Sequence, residues 1–155
     1  MKRYRYLHTD IGLLEIVEQD QKLVALNFAK YIIHPEDGSM LLQEAIWQLE
    51  AYFEGKRKYF NLPLKFDCSD FHQEVYKALM DSKYGSTISY KELALLVNKP
   101  DSSRAIGMAM ANNPFLIIVP CHRVIKSDGT LGEYTGGKGV KTKKWLIDHE
   151  RGMLK

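Results

Sequence analysis

A two-part α+β fold is what this 155-residue sequence predicts, on three observations. Alternating apolar stretches near the start read as strands. Helical spacings dominate after residue 68, and a polar, Pro-containing stretch separates the two regions. A length near 150 residues allows one domain or two small ones, and the composition shift puts the boundary between 1–67 and 68–155. The chain is 45% apolar and 26% charged, enough for a real core. That excludes a disordered tail, a collagen-like rod and a disulfide-dense scaffold.

Residues 12–17 (Gly-Leu-Leu-Glu-Ile-Val) and 22–28 (Lys-Leu-Val-Ala-Leu-Asn-Phe) read as strands joined by a polar hairpin turn over Glu18–Gln21, with residues 3–8 as a third strand. From Ser39 to Phe53 the apolar positions Leu42, Ala45, Ile46, Leu49 and Phe53 follow helical spacing, which Gly55 ends. Lys56 to Ser69 reads as a linker. Phe71, Val75, Ala78 and Leu79 then mark a helix that stops near Gly85.

Ser89-Tyr90-Lys91-Glu92 is a capping box that opens a helix through Val97. Asn98 to Asp101 breaks the chain, and Asp101, Ser102 or Ser103 caps a second helix through about Asn112. The pair fits a helix-turn-helix or an ordinary helical hairpin. In the second helix Ala105, Gly107, Ala109 and Ala111 alternate with Ile106, Met108 and Met110. A mid-helix Gly costs about 1 kcal/mol relative to Ala. Slim side chains repay that cost either by letting the backbone into a narrow groove, with Arg104 reaching past, or by tight packing in the core. Beyond it, Phe115–Val119 reads as a buried-type strand between Pro114 and Pro120. A glycine-rich loop spans Gly129–Gly139, and a last helix, Thr142 to Glu150, carries Trp145, Leu146 and His149 towards the core.

Residues 1–67 carry nine basic and ten acidic side chains, a net of −1, and residues 68–155 carry thirteen and nine, a net of +4. A mildly basic second half suits a polyanion such as nucleic acid, although a solvated surface alone produces the same count. The apolar run Phe115–Val119 is five residues, far short of the roughly 18 a membrane span needs. The basic start, Met-Lys-Arg-Tyr-Arg-Tyr, leads into no apolar signal core. The expectation is a cytoplasmic protein that engages no membrane.

Cys68 and Cys121 are the two cysteines, and five scattered histidines complete no metal-ligand spacing, so no metal is expected. Each cysteine is a small buried hydrophobe or a nucleophile. Cys121 ends the expected core strand and is followed by His122, Arg123 and Val124, a position held rigidly enough for chemistry. An ordinary thiol has a pKa near 8.5, so only a few per cent is thiolate at neutral pH without help. On an extended chain His122 would point away from Cys121 and act through a water, oriented by Glu133, Asp148 or Glu150. Gly132-x-x-x-x-Gly137-Lys138 is one residue short of a phosphate-binding loop, with Gly139 where Ser or Thr should stand, so nucleotide hydrolysis is rejected. The glycines admit a flat ligand closely or make the loop flexible.

Ile88-Ser89-Tyr90, Arg104-Ala105-Ile106-Gly107, Asn112-Asn113-Pro114, Pro120-Cys121-His122-Arg123-Val124, Gly136-Gly137 and Trp145 to Glu150 occur in that order. Over residues 70–150 they resemble the O6-alkylguanine-DNA alkyltransferases, and residues 1–67 match that family in general layout. The resemblance implies a small ribonuclease-H-like sheet-and-helix domain followed by a mainly helical, winged helix-turn-helix alkyltransferase domain. It implies direct-reversal repair, with the alkyl group of O6-alkylguanine, and O4-alkylthymine as a further candidate, passing once to Cys121. Double-stranded DNA would be bound as a monomer through the minor groove, with no cofactor. Arg104 would enter the base stack, with Ala105, Met108, Ala109 and Ser127 also at the DNA. Tyr90 would turn the target phosphate and donate to the leaving base. Met110, Val124 and Thr135 would form the base pocket, with the Cys121 and Val124 carbonyls accepting from the exocyclic amine. Glu150 would orient His122, and Asn113 would tie the recognition helix to the active-site strand. Relatives that bind without transfer usually have Trp at the nucleophile position, and Cys121 stands against that class. Two rivals follow from the same residues. One is a helix-turn-helix damage binder or regulator that has no use for Cys121, and the other is a cysteine hydrolase that turns over on small substrates.

Overall fold

The computed structural model describes residues 1–154, so the expected domain end at Lys155 lies outside the described residues. The chain divides into two units, with the break between Phe66 and Asp67. The first is α+β and the second mainly helical.

In the first unit β1 (Lys2–Thr9), β2 (Gly12–Gln19) and β3 (Lys22–Ala29) form an antiparallel meander in that order. Alternation along β2 buries Leu14 and Ile16 completely, and on β3 a register shift opposite Val17 and Glu18 puts Leu23 and Leu26, three apart, on the same buried face. The β2–β3 turn is tighter than the expected four residues. Only Asp20 and Gln21 lie between the strands, both with positive φ (52° and 64°). A two-residue turn of that hand matches the strand twist, so the pairing continues through Glu18 and Gln19. α1 (Met40–Phe53) packs Leu42, Ala45 and Leu49 against the sheet, and Ser39 Oγ caps it by accepting from the Leu42 amide at 3.1 Å.

The expected linker is part of this unit up to Phe66. The Leu23 amide donates to the Pro63 carbonyl and the Lys65 amide donates to the Leu23 carbonyl, both at 2.9 Å, so Leu64 pairs with the free edge of β3. The buried Gln48 amide clamps both main-chain groups of Asn61, at 2.9 and 3.0 Å. The polar composition of this segment reflects an edge to be covered, because an exposed strand edge invites pairing with other chains.

The second unit begins with α2 (Asp70–Met80), capped by Ser69. A two-residue strand, β4 (Ile88–Ser89), runs parallel to β5 (Val124–Ile125). α3 (Tyr90–Leu96) starts on the expected capping box. Ser89 Oγ accepts from the Glu92 amide and the Glu92 carboxylate accepts from the Ser89 amide, each at 3.0 Å. α4 is Ser103–Ala111, and Ser102 does not cap it. The Ser102 hydroxyl donates back to the Lys99 carbonyl, which closes the preceding turn instead. α5 (Val140–Glu150) follows the glycine-rich loop.

Two further expectations are corrected. Phe115–Val119 is not a strand but a buried loop whose main-chain hydrogen bonds close on itself. On α5 the buried face is Thr142, Lys143, Leu146, Ile147 and Glu150. Trp145 and His149 are only half-buried, their rings stacked 4.9 Å apart. The Gly139 start sets the helix phase, which turns Leu146 inward and moves its two aromatic neighbours to the side.

Replacing Ser89 by Ala removes the acceptor for the Glu92 amide, and the expected loss is about 1 kcal/mol of folding stability. Urea unfolding of the two proteins measures it. An unchanged midpoint would mean that the cap is dispensable.

Candidate active site

The site is built on the buried segment between Asn113 and Arg123. Asn113 closes this loop from inside: its amide nitrogen donates to the Val119 carbonyl at 2.8 Å, and its amide oxygen accepts from the Phe115 amide at 2.9 Å. The Ile118 amide donates to the Leu116 carbonyl at 2.9 Å, and Ile117 between them has φ of 75°. A γ-turn of this hand with a β-branched residue at its centre is strained. Such strain costs on the order of 1–3 kcal/mol and persists only where the surroundings over-determine it. Here Phe115, Leu116, Ile117, Ile118 and Val119 are all buried. Tight closure, with no strand of either sheet paired to the run among the described residues, is why it forms a loop.

The loop delivers Cys121 into a single 3₁₀ turn, Cys121–Arg123. On that turn His122 and Arg123 both reach the same carboxylate, an arrangement that the extended chain expected from sequence would have forbidden. His122 Nε2 lies 2.6 Å from Glu150 Oε2, and Arg123 Nε donates to Glu150 Oε1 at 2.8 Å. Of the three candidate acids Glu150 is therefore the partner. With the carboxylate at Nε2, that nitrogen carries the proton of the neutral ring and Nδ1 is the acceptor. Nδ1 is buried with no hydrogen-bond partner in the protein.

Burial dominates the electrostatics. It pushes the Cys121 thiol up to about 11, against a hydrogen bond from Asn113 and the Lys143 cation. Burial also lowers His122, opposed by Glu150. Glu150 is disfavoured by its own burial, yet His122 and Arg123 together draw its carboxyl down to about 2. The resting state is thus a protonated thiol beside a neutral imidazole and an ionised carboxylate.

Cys121 opens onto a cavity of about 760 Å³. Of the residues expected at the site, Tyr90, Arg104, Met108, Met110, Cys121, Ser127 and Thr135 share this lining. Asn113, His122 and Glu150 lie buried outside it, and the Val124 side chain is fully buried. Ala105 is half-buried and does not line the cavity.

Ala109 is a correction: it is fully buried, and its carbonyl accepts from the Tyr76 hydroxyl at 2.7 Å, so it faces the core and cannot face DNA. Small residues two apart in a helix sit some 200° apart around its axis. The alternation therefore divides between faces, with Gly107 and Ala111 towards the cavity. A Cβ on Gly107 would meet nothing within 4 Å, so this glycine leaves bare backbone at the cavity and serves no internal packing.

Three residues were not foreseen. Arg123 shares Glu150, and Tyr134 lines the cavity with its ring buried. Lys143 is 1% exposed, and its ammonium donates to the Val124 carbonyl at 2.6 Å and the Glu133 carbonyl at 3.1 Å. Burial lowers its pKa to about 8. Its position was readable, because Lys143, Leu146, Ile147 and Glu150 follow helical i, i+3, i+4, i+7 spacing. The glycine-rich loop opposite has a definite shape. Gly137 (φ 53°) is bare because a Cβ there would come within 2.6 Å of Thr142 Oγ1, which accepts from the Lys138 amide.

Residues 2–66 match the family model of the 6-O-methylguanine DNA methyltransferase ribonuclease-like domain, and residues 70–152 match that of the 6-O-methylguanine DNA methyltransferase DNA binding domain. A methylated-DNA–protein-cysteine methyltransferase from Methanosarcina barkeri is 41% identical, covering 98% of this chain and 99% of its own. One from Mycolicibacterium paratuberculosis is 36% identical, covering 97% and 93%. The crystal structure of the Mycobacterium tuberculosis O6-methylguanine methyltransferase superposes with a TM-score of 0.86 at 35% identity, covering 100% of this chain and 96% of that one. A structure of the same mycobacterial protein in complex with DNA also gives 0.86 at 35% identity, covering 98% and 94%.

Two measurements probe the electrostatics. Removing the cation in Lys143→Met raises the Cys121 thiol further, and one pKa unit is tenfold in thiolate. Alkylation of Cys121 by iodoacetamide at pH 7, where Lys143 with a pKa of about 8 is mostly a cation, should be slower in the variant, and equal rates would dismiss Lys143. Glu150 has its folded pKa depressed from an ordinary 4.5 to about 2. Its stabilisation is complete above about pH 4.5 and is lost as pH falls through about 2. Urea midpoints measured from pH 6 to 2 should fall less steeply in Glu150→Gln than in the parent.

Proposed function

The chain belongs to the 6-O-methylguanine DNA methyltransferase family, and from that premise we propose how its residues perform the repair. The activity is direct reversal of DNA alkylation: the alkyl group on O6 of a guanine moves to a cysteine of the protein, which acts once. We assign that cysteine as Cys121. The observation that carries the assignment is its place in the cavity wall, backed by the buried His122–Glu150 pair.

The steps follow from the groups present. The flipped guanine occupies the cavity, with Met110 packed on the base and Thr135 near the alkylated oxygen. The carbonyls of Cys121 and Val124 accept from its exocyclic amine. Val124 does so with the lone pair that Lys143 leaves. The Cys121 proton passes through a water to His122 Nδ1, and Glu150 holds the imidazolium. A thiol near 11 is not a standing thiolate, so proton removal accompanies attack, which shields the resting sulfur from other electrophiles. The sulfur attacks the alkyl carbon in line, the carbon–O6 bond breaks, and the Tyr90 hydroxyl protonates the leaving guanine at a ring nitrogen, the proton held on His122 then returning through solvent to the Tyr90 phenolate. The product is a thioether, which does not leave. None of these steps requires a metal or cofactor.

DNA lies on α4 through its minor groove, with Arg104 filling the stack that the flipped base vacates. Met108, 56% exposed on the same helix, lies against the groove with Ala105, and Ser127 contacts a phosphate. α3 and α4 then act as a winged helix-turn-helix, with the turn around Ser127 as its wing. The meander and α1 act as a ribonuclease-H-like domain. One monomer acts per lesion, in the cytoplasm, with the functional division at 1–67 and 68–155. Among the described residues no helix is long and apolar enough to cross a membrane.

Incubation with duplex DNA containing O6-methylguanine should add one methyl to the intact mass, confined on peptide mapping to Cys121. A methyl elsewhere would overturn the assignment. Cys121→Ser should gain none and still bind the lesion duplex. Arg104→Ala should slow transfer from duplex DNA by about tenfold through impaired flipping, while the free base O6-methylguanine reacts at the parent rate. Equal slowing of both would remove Arg104 from the flipping step.

A further inference from the structure

The alkyl-transfer mechanism uses Glu150 through one oxygen, and the other oxygen leads to residues that the mechanism leaves idle. Arg123 occupies Glu150 Oε1 and extends in the opposite direction. Its Nη1 donates to the Ser82 hydroxyl at 2.8 Å and to the Ser82 carbonyl at 3.1 Å, and its guanidinium carbon lies 5.8 Å from the centre of the Tyr84 ring. The Ser82 hydroxyl, accepting from Arg123, donates its own proton to the Leu79 carbonyl at the end of α2 at 2.5 Å. An unbroken row of polar groups thus runs from the end of α2 through Ser82, Arg123 and Glu150 to His122. Arg123, Glu150 and His122 are all buried.

We propose that Ser82 and Arg123 are positioning residues for the alkyl transfer: Ser82 fixes the guanidinium, the guanidinium fixes the Glu150 carboxylate, and the carboxylate holds His122 with its proton on Nε2 and its lone pair on Nδ1. This rests on the reading of His122 as the base that receives the Cys121 proton. A carboxylate holding the imidazole by one oxygen is free to rotate about its last bond unless the second oxygen is tied. The planar guanidinium, held at Nη1 and giving Nε to Glu150, supplies that tie. Ser82 anchors it from the α2–β4 loop, which leads directly to Tyr90, so the base is registered to the element that meets the leaving guanine.

The charged groups facing His122 are Glu150 and Lys143 from α5, with Arg123 from its own turn, and Lys143 also faces the Cys121 thiol. Tyr84 and Tyr134 face Glu150. Arg123 disfavours the imidazolium, so removing its charge raises the pH at which His122 becomes neutral.

The test uses single-turnover transfer from an O6-methylguanine duplex between pH 6 and 9, with nitrogen NMR of His122 in the full chain. Ser82→Ala and Arg123→Lys should slow transfer by about tenfold and mix the two histidine tautomers, with lesion-duplex affinity unchanged. Ser82→Thr, which keeps the hydroxyl, should recover the rate. Arg123→Met should move the rising limb of the rate profile to higher pH. The proposal is overturned if the parent transfers its methyl group and Ser82→Ala matches it in rate, pH midpoint and histidine spectrum. A parent that takes no methyl at all defeats the alkyl-transfer reading instead. The tautomer signals then still decide whether Ser82 and Arg123 hold the imidazole.

Discussion

The Glu150 carboxylate is the group on which the second unit's chemistry rests. It is buried at the last turn of α5, where the helix presents the negative end of its dipole and an anion is disfavoured. Burial adds to that cost. What sustains the charge is the pair of donors on the 3₁₀ turn, His122 at 2.6 Å and Arg123 at 2.8 Å. Removing either would leave part of a buried carboxylate without its partner, the situation in which broken ion pairs cost most. The C-terminus of α5, the turn after Pro120 and the end of α2 are consequently held to one carboxylate.

The loop from Asn113 to Pro120 answers a second demand, that the nucleophile be placed without mobility. A strand would have needed neighbours on both edges, and among the described residues the ladder between named strands in this unit is the two-residue match of β4 with β5. Asn113 replaces a ladder by bonding both ways across the loop, and the positive φ of Ile117 is the strain that remains. On the proposed mechanism, a rigid loop also lets a thiol of pKa about 11 serve as nucleophile. It need not be ionised in advance if the base that takes its proton is already in position.

Lys143 links the two walls of the cavity. Its ammonium joins the Val124 and Glu133 carbonyls, so the glycine-rich loop is pinned across the active-site turn. Gly137 allows α5 to begin immediately behind that loop, because Thr142 fills the space that any side chain there would need. The glycine-rich loop is therefore a shaped wall, tied to the active-site turn by Lys143 and to α5 by the Lys138–Thr142 hydrogen bond.

Much of this protein was legible in the order of its residues. Apolar runs marked the three strands, Ser39 and Ser89 marked their helix starts, and the family resemblance carried by Pro120-Cys121-His122-Arg123 pointed to the Cys121 thiol. These are local properties, set by side-chain period, by caps and by the chemistry of neighbours in the chain. What only the tertiary structure decided lies where a segment's partners are distant. Five apolar residues read as a strand until Asn113 closed them into a loop, and polar residues read as a linker until Leu64 met β3. Ala109 shared a pattern with Gly107 yet turned to the core, and the Lys143 ammonium met the Val124 and Glu133 carbonyls only once α5 was packed. Spacing left Glu133, Asp148 and Glu150 open and only the family resemblance pointed to Glu150, because which acid reaches a histidine 28 residues away is settled by packing and not by spacing.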